Sequence, residues 1–233
     1  MLGWTLGRYP SLTLELASQY YWEHEDRGFQ DSLELAKHEF GQKTGIKIKE
    51  VWGIFSEAFK EFPFHIDVLY SAPQNFGPMN LLYEKATGFK ATMLGFLYDD
   101  VESWRGNYPA DIFEEQFRKT SDTWKRGLII LEDLEIENDN KGLAAFKELI
   151  NIATSVYYHF KSTYLQIAFI RLRDSLFMAK DAEIRDKIKC KIIDVLDIEI
   201  EIAKKLYFIT LQDSRIGFEA SNHYYYRLNE RTT

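Results

Sequence analysis

The sequence predicts an all-α protein: a helical bundle with a short strand-like N-terminal lead and a long irregular segment rich in aromatic residues. Apolar residues recur at helical spacing over long stretches between residues 110 and 211. Short polar turns separate these stretches, which is typical of helices that pack as antiparallel neighbours. Residues 63–109 hold four of the five prolines and follow neither helical nor strand periodicity.

The N-terminal lead is residues 1–10, MLGWTLGRYP, which are apolar and punctuated by glycine. This composition favours a buried strand over an exposed chain end. We expect residues 11–233 to form a single helical domain. Within it we distinguish the irregular segment 63–109, the long-helix bundle 110–211 and a polar-aromatic tail, 212–233.

Two helices are predicted between the lead and the irregular segment. Residues 31–32 can cap the first of them, and Gly41 is placed to end it. Thr44 or Gly45 opens the second, whose apolar residues recur at three- and four-residue steps until Pro63 stops it. We expect this helix pair to pack on the bundle.

Three long helices are predicted in the bundle. Pro109 suits the first turn of a helix that continues to about Leu134. A polar turn at 138–142 precedes a second helix that runs to about Ala179, and Asp181 can cap the third. The third helix carries an apolar stripe for the bundle, formed by Ile184, Ile188, Ile192, Val195, Ile202, Leu206 and Ile209.

Charge and composition argue against several classes of protein. The net charge is −7 and no Lys/Arg run occurs, whereas phosphate binding needs a concentrated basic face. Cys190 is the single cysteine, which excludes an internal disulfide and a cysteine-based metal cluster. No apolar run approaches the roughly 20 residues that span a bilayer. We therefore expect no nucleic-acid partner and no membrane insertion.

The sequence lacks the common motifs for cofactors and metals. GxGxxG, GxxxxGK[ST], HExxH and GxSxG do not occur. The five histidines have no ligand spacing among them, and neither of the last two helices contains the Glu-x-x-His pair of di-iron bundles. We expect no cofactor and no metal site.

The first group of candidate ligand residues lies in the stretch YSAPQNFGPMN. Tyr70, Gln74 and Asn75 place amides beside aromatic rings in a loop braced by proline and glycine. Rings can stack on sugars while amides donate to and accept from hydroxyl groups. The same amides could instead satisfy buried loop backbone, and the sequence leaves both readings open.

A second group follows in the stretch YDDVESWRGNYP. Asp99 and Asp100 are paired carboxylates close to Trp104, an arrangement that could serve glycosidic acid/base chemistry. The structural alternative is a helix end or turn in which Arg105 is an ion-pair partner. We carry Asp99, Asp100, Trp104 and Arg105 as ligand-facing candidates with this alternative open.

The tail stretch DSRIGFEASNHYYY supplies a third group. In the structural reading, Gly217 ends the preceding helix and Asp213 pairs with Arg215. In the functional reading, four polar side chains lie at a pocket rim: Arg215, Glu219, Asn222 and His223.

Four segments together resemble the C-terminal portion of large glycoside-hydrolase-like proteins of gut Bacteroidetes. They are LGWTLGRYPS, FPFHIDVLYSAPQNFGPMNLLY, YDDVESWRGNYP and DSRIGFEASNHYYY, and the resemblance covers most of the chain. It implies that LGWTLGRYPS is the final strand and exit of a TIM-type barrel whose other strands are not in this sequence. Trp4 and Arg8 would then lie at the barrel rim where active sites occur. It also implies a periplasmic or cell-surface parent, although this chain carries no signal peptide.

These observations lead to three hypotheses of function. The first is a helical C-terminal domain or fragment of a carbohydrate-active protein, which contributes to an oligosaccharide-binding cleft and is inactive alone. The alternative is an α-helical interaction or scaffold module without a ligand site, whose residues 1–7 and exposed bundle face are covered by a barrel domain or a second subunit. The third is a complete small hydrolase that uses Asp99, Asp100 or Glu219.

Overall fold

The structure is a computed structural model, and it confirms an all-α helical bundle. It describes residues 12, 15–16, 28–71, 73–74, 77–90, 97–136, 140–213, 216, 218–219 and 223–224. The predicted lead, 1–10, lies outside the described residues. The described elements are α1 (Gly28–Phe40), α2 (Gln42–Lys60), α3 (Ile66–Leu69), the 3-10 helix η1 (Gly77–Met79), α4 (Val101–Trp104), α5 (Ala110–Glu132), α6 (Asn140–Met178), α7 (Ala182–Gln212), β1 (Phe218–Glu219) and β2 (His223–Tyr224).

The helix pair α1 and α2 turns at Gly41, as predicted. This residue has a φ of 88°, a conformation that glycine adopts without steric cost. Both helices begin earlier than the sequence suggested, at Gly28 and Gln42. Gly45 allows them to approach closely, because a Cβ at this position would lie 2.5 Å from the carbonyl oxygen of Ala36.

Helices α5 and α6 form an antiparallel pair at the centre of the bundle. Pro109 directly precedes α5, within one residue of its predicted position. Trp124 in the second half of α5 donates from Nε1 to the carbonyl of Ala153 in the first half of α6, at 2.9 Å. Glu114 near the start of α5 pairs with Arg171 near the end of α6. Each contact joins the first half of one helix to the second half of the other, so the two helices run in opposite directions.

Helix α7 returns antiparallel to α6. Asp181 caps it as predicted, since its Oδ1 accepts from the backbone N–H of Ile184 at 3.0 Å. Further along, Ser162 of α6 donates to the carboxylate of Glu199 in α7. Within the predicted bundle stripe, Ile202 and Leu206 are buried and most other members are half-buried. Ile184, near the start of the helix, lies on the same side as the other members but is exposed.

The end of α7 lies within one residue of the predicted end of the bundle at residue 211. The helix ends at Gln212, and Asp213 is its C-cap, with a backbone N–H that donates to the carbonyl of Ile209 at 3.0 Å. Gly217, the alternative helix end, lies outside the described residues. The short strands β1 and β2 follow and pair antiparallel, with Glu219 opposite His223.

Two buried clusters form the core, and Trp124 packs against both of them. The first joins α5 and α6 to the irregular segment, and the second joins them to α1 and α2. The first cluster contains Phe62, Val68, Val101, Trp104, Phe113, Phe117, Phe160, Ile167, Phe169 and Ile170. The second contains Ala36, Phe40, Ile48, Val51, Phe55, Leu128, Leu131, Phe146 and Ala153.

Candidate functional site

Amide side chains fasten the irregular segment to α6. Gln166 is fully buried, and its Oε1 accepts from Asn80 Nδ2 at 2.7 Å while its Nε2 donates to the carbonyl of Gly77 at 2.8 Å. Gln74 Nε2 donates to Thr163 Oγ1 at 3.1 Å. These contacts give the amides the structural role of satisfying buried groups, which was one of the two readings open for this stretch.

Asp99 lies in the interior and does not face a ligand surface. Its side chain is 2% exposed, and Oδ2 lies 3.1 Å from Nη1 of Arg173, which is 8% exposed. Nη2 of the same arginine donates to the Asp99 carbonyl at 3.1 Å. The backbone N–H and hydroxyl of Thr87 donate to the carboxylate as well. The ligand-facing placement expected for Asp99 is thus corrected, because this carboxylate neutralises a buried arginine.

Trp104 is also enclosed. Its side chain is fully buried in the first core cluster, and its Nε1 donates to the carbonyl of Leu97 at 2.8 Å. A tryptophan with both ring faces covered has no surface on which a sugar could stack. The expected ligand-facing position of Trp104 is corrected for this reason.

Asp100 and Arg105 stabilise the two ends of the short helix α4. Asp100 Oδ1 accepts from the backbone N–H of Glu102 at 3.1 Å, as an N-cap does. Arg105 Nη2 lies 2.6 Å from Glu102 Oε2, and Nη1 donates to the carbonyl of Tyr108 at 2.6 Å. The hydrogen bond from Arg105 holds the pKa of the Glu102 carboxyl below its usual value. Both residues match the helix-end alternative that the sequence left open.

Tyr70 is the one described first-choice candidate that is exposed, and it belongs to an apolar surface. Its neighbours project from the short helix α3 and the residues beside it, with exposed fractions of 36–71%. We call this the α3 surface. It consists of Phe64, Ile66, Leu69 and Tyr70.

The backbone beneath the α3 surface is firmly held. His65 Nδ1 accepts from the backbone N–H of Asp67 at 3.2 Å and so caps α3. Gly106, with a φ of +57°, packs so closely on the His65 ring that a Cβ there would lie 2.5 Å from Nδ1. Tyr108 adds a long hydroxyl contact of 3.4 Å to the carbonyl of Phe64. The chain following α4 therefore fixes the position of α3, and the apolar side chains project from a rigid base.

A groove of about 480 Å³ lies between α5, α6 and α7. Its α6 residues lie on the side of that helix opposite Gln166, since Gln166 and Ala168 point about 200° apart at 100° per residue. Burial raises the pKa of Tyr164 in its wall, and the nearby charge of Glu114 adds to this effect. The sequence did not indicate this groove, because it combines residues from three helices. They are Glu114, Tyr164, Ala168, Arg171, Leu172, Ser175, Lys191, Asp194 and Val195.

No described contact brings the remaining candidate residues to the α3 surface or to the groove. Glu219 and His223 lie in the paired strands β1 and β2. The others fall outside the described residues, and their predicted roles stay predictions. They are Trp4, Arg8, Asn75, Arg215 and Asn222.

Two further findings concern metals and membranes. The described residues contain no group of three or more His, Cys, Asp and Glu side chains placed to hold a metal ion. In the same part of the chain, no helix combines the length and apolar character needed to cross a bilayer. Comparison with known proteins adds no relative: no family model, curated protein or solved structure matches the chain.

Proposed function

We propose that this chain is a non-catalytic helical domain that packs on another folded domain, and that the parent protein is carbohydrate-active. The observation that carries the packing role is the α3 surface. Four apolar side chains lie exposed within seven residues of one another, on a backbone held by His65 and Gly106. Contiguous apolar patches of this kind mark interaction sites more often than isolated exposed residues do.

The chemistry of the α3 surface favours a protein partner. Ile66 and Leu69 offer only aliphatic contact, and burial of such groups contributes roughly 25 cal/mol per Å². Because the backbone below is already ordered, little conformational entropy is lost when a partner binds. A rigid apolar surface of this kind suits a permanent domain interface.

The non-catalytic part of the proposal is supported by the uses of the acidic residues. Asp99 neutralises Arg173 in the interior, and Asp100 caps α4. A glycosidase acid or base must reach the glycosidic oxygen or a water beside it, whereas these two carboxylates serve the fold. The carbohydrate-active parent rests on the resemblance of the four sequence segments.

The packing role can be tested by photo-crosslinking from the α3 surface. A photoreactive residue at position 64 would be combined with affinity isolation of the chain from its source cells. We expect a one-to-one partner to be crosslinked, and Ile66→Asp to abolish that complex. Ile46→Asp is the matched control, because Ile46 is an exposed isoleucine of α2 at the end remote from α3. A complex indifferent to Ile66→Asp, or no stoichiometric complex at all, would contradict the proposal.

The second candidate function is direct contact with an oligosaccharide. It is favoured by the two exposed aromatics of the α3 surface, Phe64 and Tyr70, because aromatic rings can stack on the apolar faces of sugars. Calorimetry with plant and host oligosaccharides tests it. Binding that is lost in Tyr70→Ala and kept in Phe177→Ala, an exposed aromatic near the end of α6, would support sugar contact. No heat with any oligosaccharide would remove this candidate.

A further inference from the structure

Helix α7 is apolar on two opposite faces. Ile202 and Leu206 on one face are buried against the bundle. The opposite face carries residues spaced seven, eight and three apart, which places them on one side of a helix at 100° per residue. They are 50–61% exposed. We call this row the outer stripe, and it consists of Ile193, Ile200, Phe208 and Leu211.

The outer stripe is unusual for a helix at the edge of a bundle. Such a helix normally has one apolar face toward the core and a polar face toward water, and a helix that is apolar on both sides is normally covered on both. Among the residues that the structure describes, the bundle covers only the face of α7 that contains Ile202. The pattern therefore indicates a second protein surface against the outer stripe.

The charges on the outer stripe indicate which surface that is. Asp197 and Lys204 lie between its apolar members, and both are exposed. In an antiparallel pair of α7 helices with a two-fold axis between Ile200 and Glu201, each Asp197 faces Lys204 of the other copy. The same register places Ile193 opposite Phe208. The stripe is thus complementary to itself in charge at Asp197 and Lys204 and in apolar contact at Ile193 and Phe208, as a two-fold interface requires. Ile200 lies beside the axis, next to Ile200 and Glu201 of the other copy.

A parallel pair of α7 helices lacks this complementarity. A parallel pair in register would set Asp197 against Asp197 and Lys204 against Lys204, and like charges in contact are unfavourable. Lys204 also pairs with Glu201 in its own helix at 2.8 Å, but both side chains are about 60% exposed. An exposed pair of this kind is weak, so Lys204 can exchange it for a contact across the interface.

We propose that a second copy of this chain covers the outer stripe, with the two α7 helices antiparallel. The inference rests on the proposed function in one respect, namely that the chain acts by packing on folded partners. It concerns a different surface, since the outer stripe and the α3 surface share no residue. The contact from Ile193 to Leu211 spans about 27 Å at 1.5 Å per residue. A single helix pair is smaller than a standard protein interface, so we expect reversible dimerisation in the micromolar range.

Charge reversal tests the proposed register. In analytical ultracentrifugation we expect the wild-type chain to dimerise. Asp197→Lys and Lys204→Asp should each weaken the dimer by about tenfold, because each turns two attractive contacts into repulsive ones. The double variant Asp197→Lys/Lys204→Asp should regain wild-type association, since the opposite charges face each other again. All of these positions are exposed, and circular dichroism at each protein concentration confirms that the variants fold.

Disulfide crosslinking tests independently whether the two α7 helices run antiparallel. Cys190 is exposed and faces Leu211 of the other copy in the proposed register. Leu211→Cys should therefore form an intermolecular disulfide with the native Cys190 under mild oxidation. The wild-type chain should not crosslink, because its two Cys190 residues would lie about 30 Å apart along the helix pair. A parallel pair would show the reverse, with Cys190 crosslinked to Cys190 in the wild type.

Three outcomes would overturn the inference. They are a chain that stays monomeric at all concentrations, a double charge variant that remains as weak as the single ones, and a wild-type Cys190 crosslink without one in Leu211→Cys. Loss of self-association in Phe208→Asp while the complex sensitive to Ile66→Asp persists would show that the two surfaces act separately. A monomer that still forms that complex would remove only the dimer and leave the proposed function standing.

Discussion

Asp99 Oδ2 lies 3.1 Å from Arg173 Nη1 across the boundary between the irregular segment and α6, and both side chains are buried. This ion pair joins residues 74 positions apart in the chain. Arg173 also donates to the Asp99 carbonyl at 3.1 Å. The stretch that looked like a carboxylate site in the sequence is therefore a fastening point between the irregular segment and the bundle.

Removal of one partner of this pair should be costly. Asp99→Asn leaves the buried guanidinium of Arg173 with only the exposed carboxylate of Asp174, 2.9 Å from its Nε, as counter-charge. We therefore expect the free energy of unfolding to fall by about 1.5–3 kcal/mol, the contribution of a buried hydrogen bond to a charged group. Urea denaturation measures the change. Glu102→Gln is the control, because it removes a carboxylate that is 66% exposed from its ion pair with Arg105 and should change stability less. Equal effects of the two substitutions would refute the structural role assigned to Asp99.

Two glycines of the same helix should respond to alanine in opposite directions. A Cβ at Gly45 would lie 2.5 Å from the backbone of Ala36, whereas nothing lies within 4 Å of the position at Gly53. Gly45→Ala should destabilise the protein by about 1–3 kcal/mol, because α1 must move away. Gly53→Ala should stabilise it by about 0.5–1 kcal/mol through helix propensity. Thermal unfolding of both variants checks the sign of each change.

His159 should make stability depend on pH. Burial lowers the pKa of its ring to about 4, an effect partly opposed by contact with the backbone of Gln74. The unfolded chain, with a pKa near 6.5, binds more protons between pH ~4 and ~6.5, so stability falls as pH decreases through that window. Because His159 is only half-buried by its accessible surface, solvent screens part of this effect, and we expect a loss of about 1–3 kcal/mol by pH ~4.

The measurement compares the pH dependence of unfolding in His159→Gln and in the wild type. The variant should lack the fall in the free energy of unfolding that we assign to His159 between pH ~6.5 and ~4. His38→Gln, at a position where the side chain is largely exposed, serves as the control and should keep the wild-type profile. If His159→Gln keeps the wild-type pH dependence of unfolding, the His159 ring takes up protons in the folded protein as it does in the unfolded chain, and the prediction is wrong.

Gln166 should control the order of the irregular segment. Gln166→Leu removes the acceptor for Asn80 Nδ2 and the donor for the Gly77 carbonyl, and each unsatisfied buried group costs about 1–3 kcal/mol. We expect faster hydrogen exchange at the backbone amides of residues 77 and 80, with exchange in α1 and α2 unchanged. Gln42→Leu, at the exposed start of α2, should leave exchange at 77 and 80 as it is.

The long helices could be predicted because their signals are local. Pro109 fits only the first turn of a helix or the residue before it. Asp181 caps α7 by accepting a hydrogen bond from the backbone N–H of Ile184, three residues further along. Where two local signals competed, the predicted limits were less sharp. Gly217 suggested a later helix end than residue 211, but the chain leaves the helical conformation at Asp213. The sequence did not predict the start at Gly28 because Asp31 and Ser32 are stronger capping residues than glycine.

The candidate site could be predicted only in part. Residue type singled out Asp99, Trp104 and Gln74 as ligand-binding candidates, but it could not distinguish a ligand from the protein itself as their partner. Asp99 pairs with Arg173, and Gln74 bonds to Thr163. These partners lie 74 and 89 residues away in the chain, and no local pattern connects them.

The sequence by itself determined the helical class and the approximate limits of the long helices, because hydrophobic period, proline and capping residues act over one or two turns. Only the tertiary structure decided which faces of these helices are covered. Ile202 and Ile200 are equally apolar in the sequence, yet one is buried against the bundle and the other is exposed on the outer stripe. Burial depends on which distant segments pack against a face, and that is a property of the whole fold.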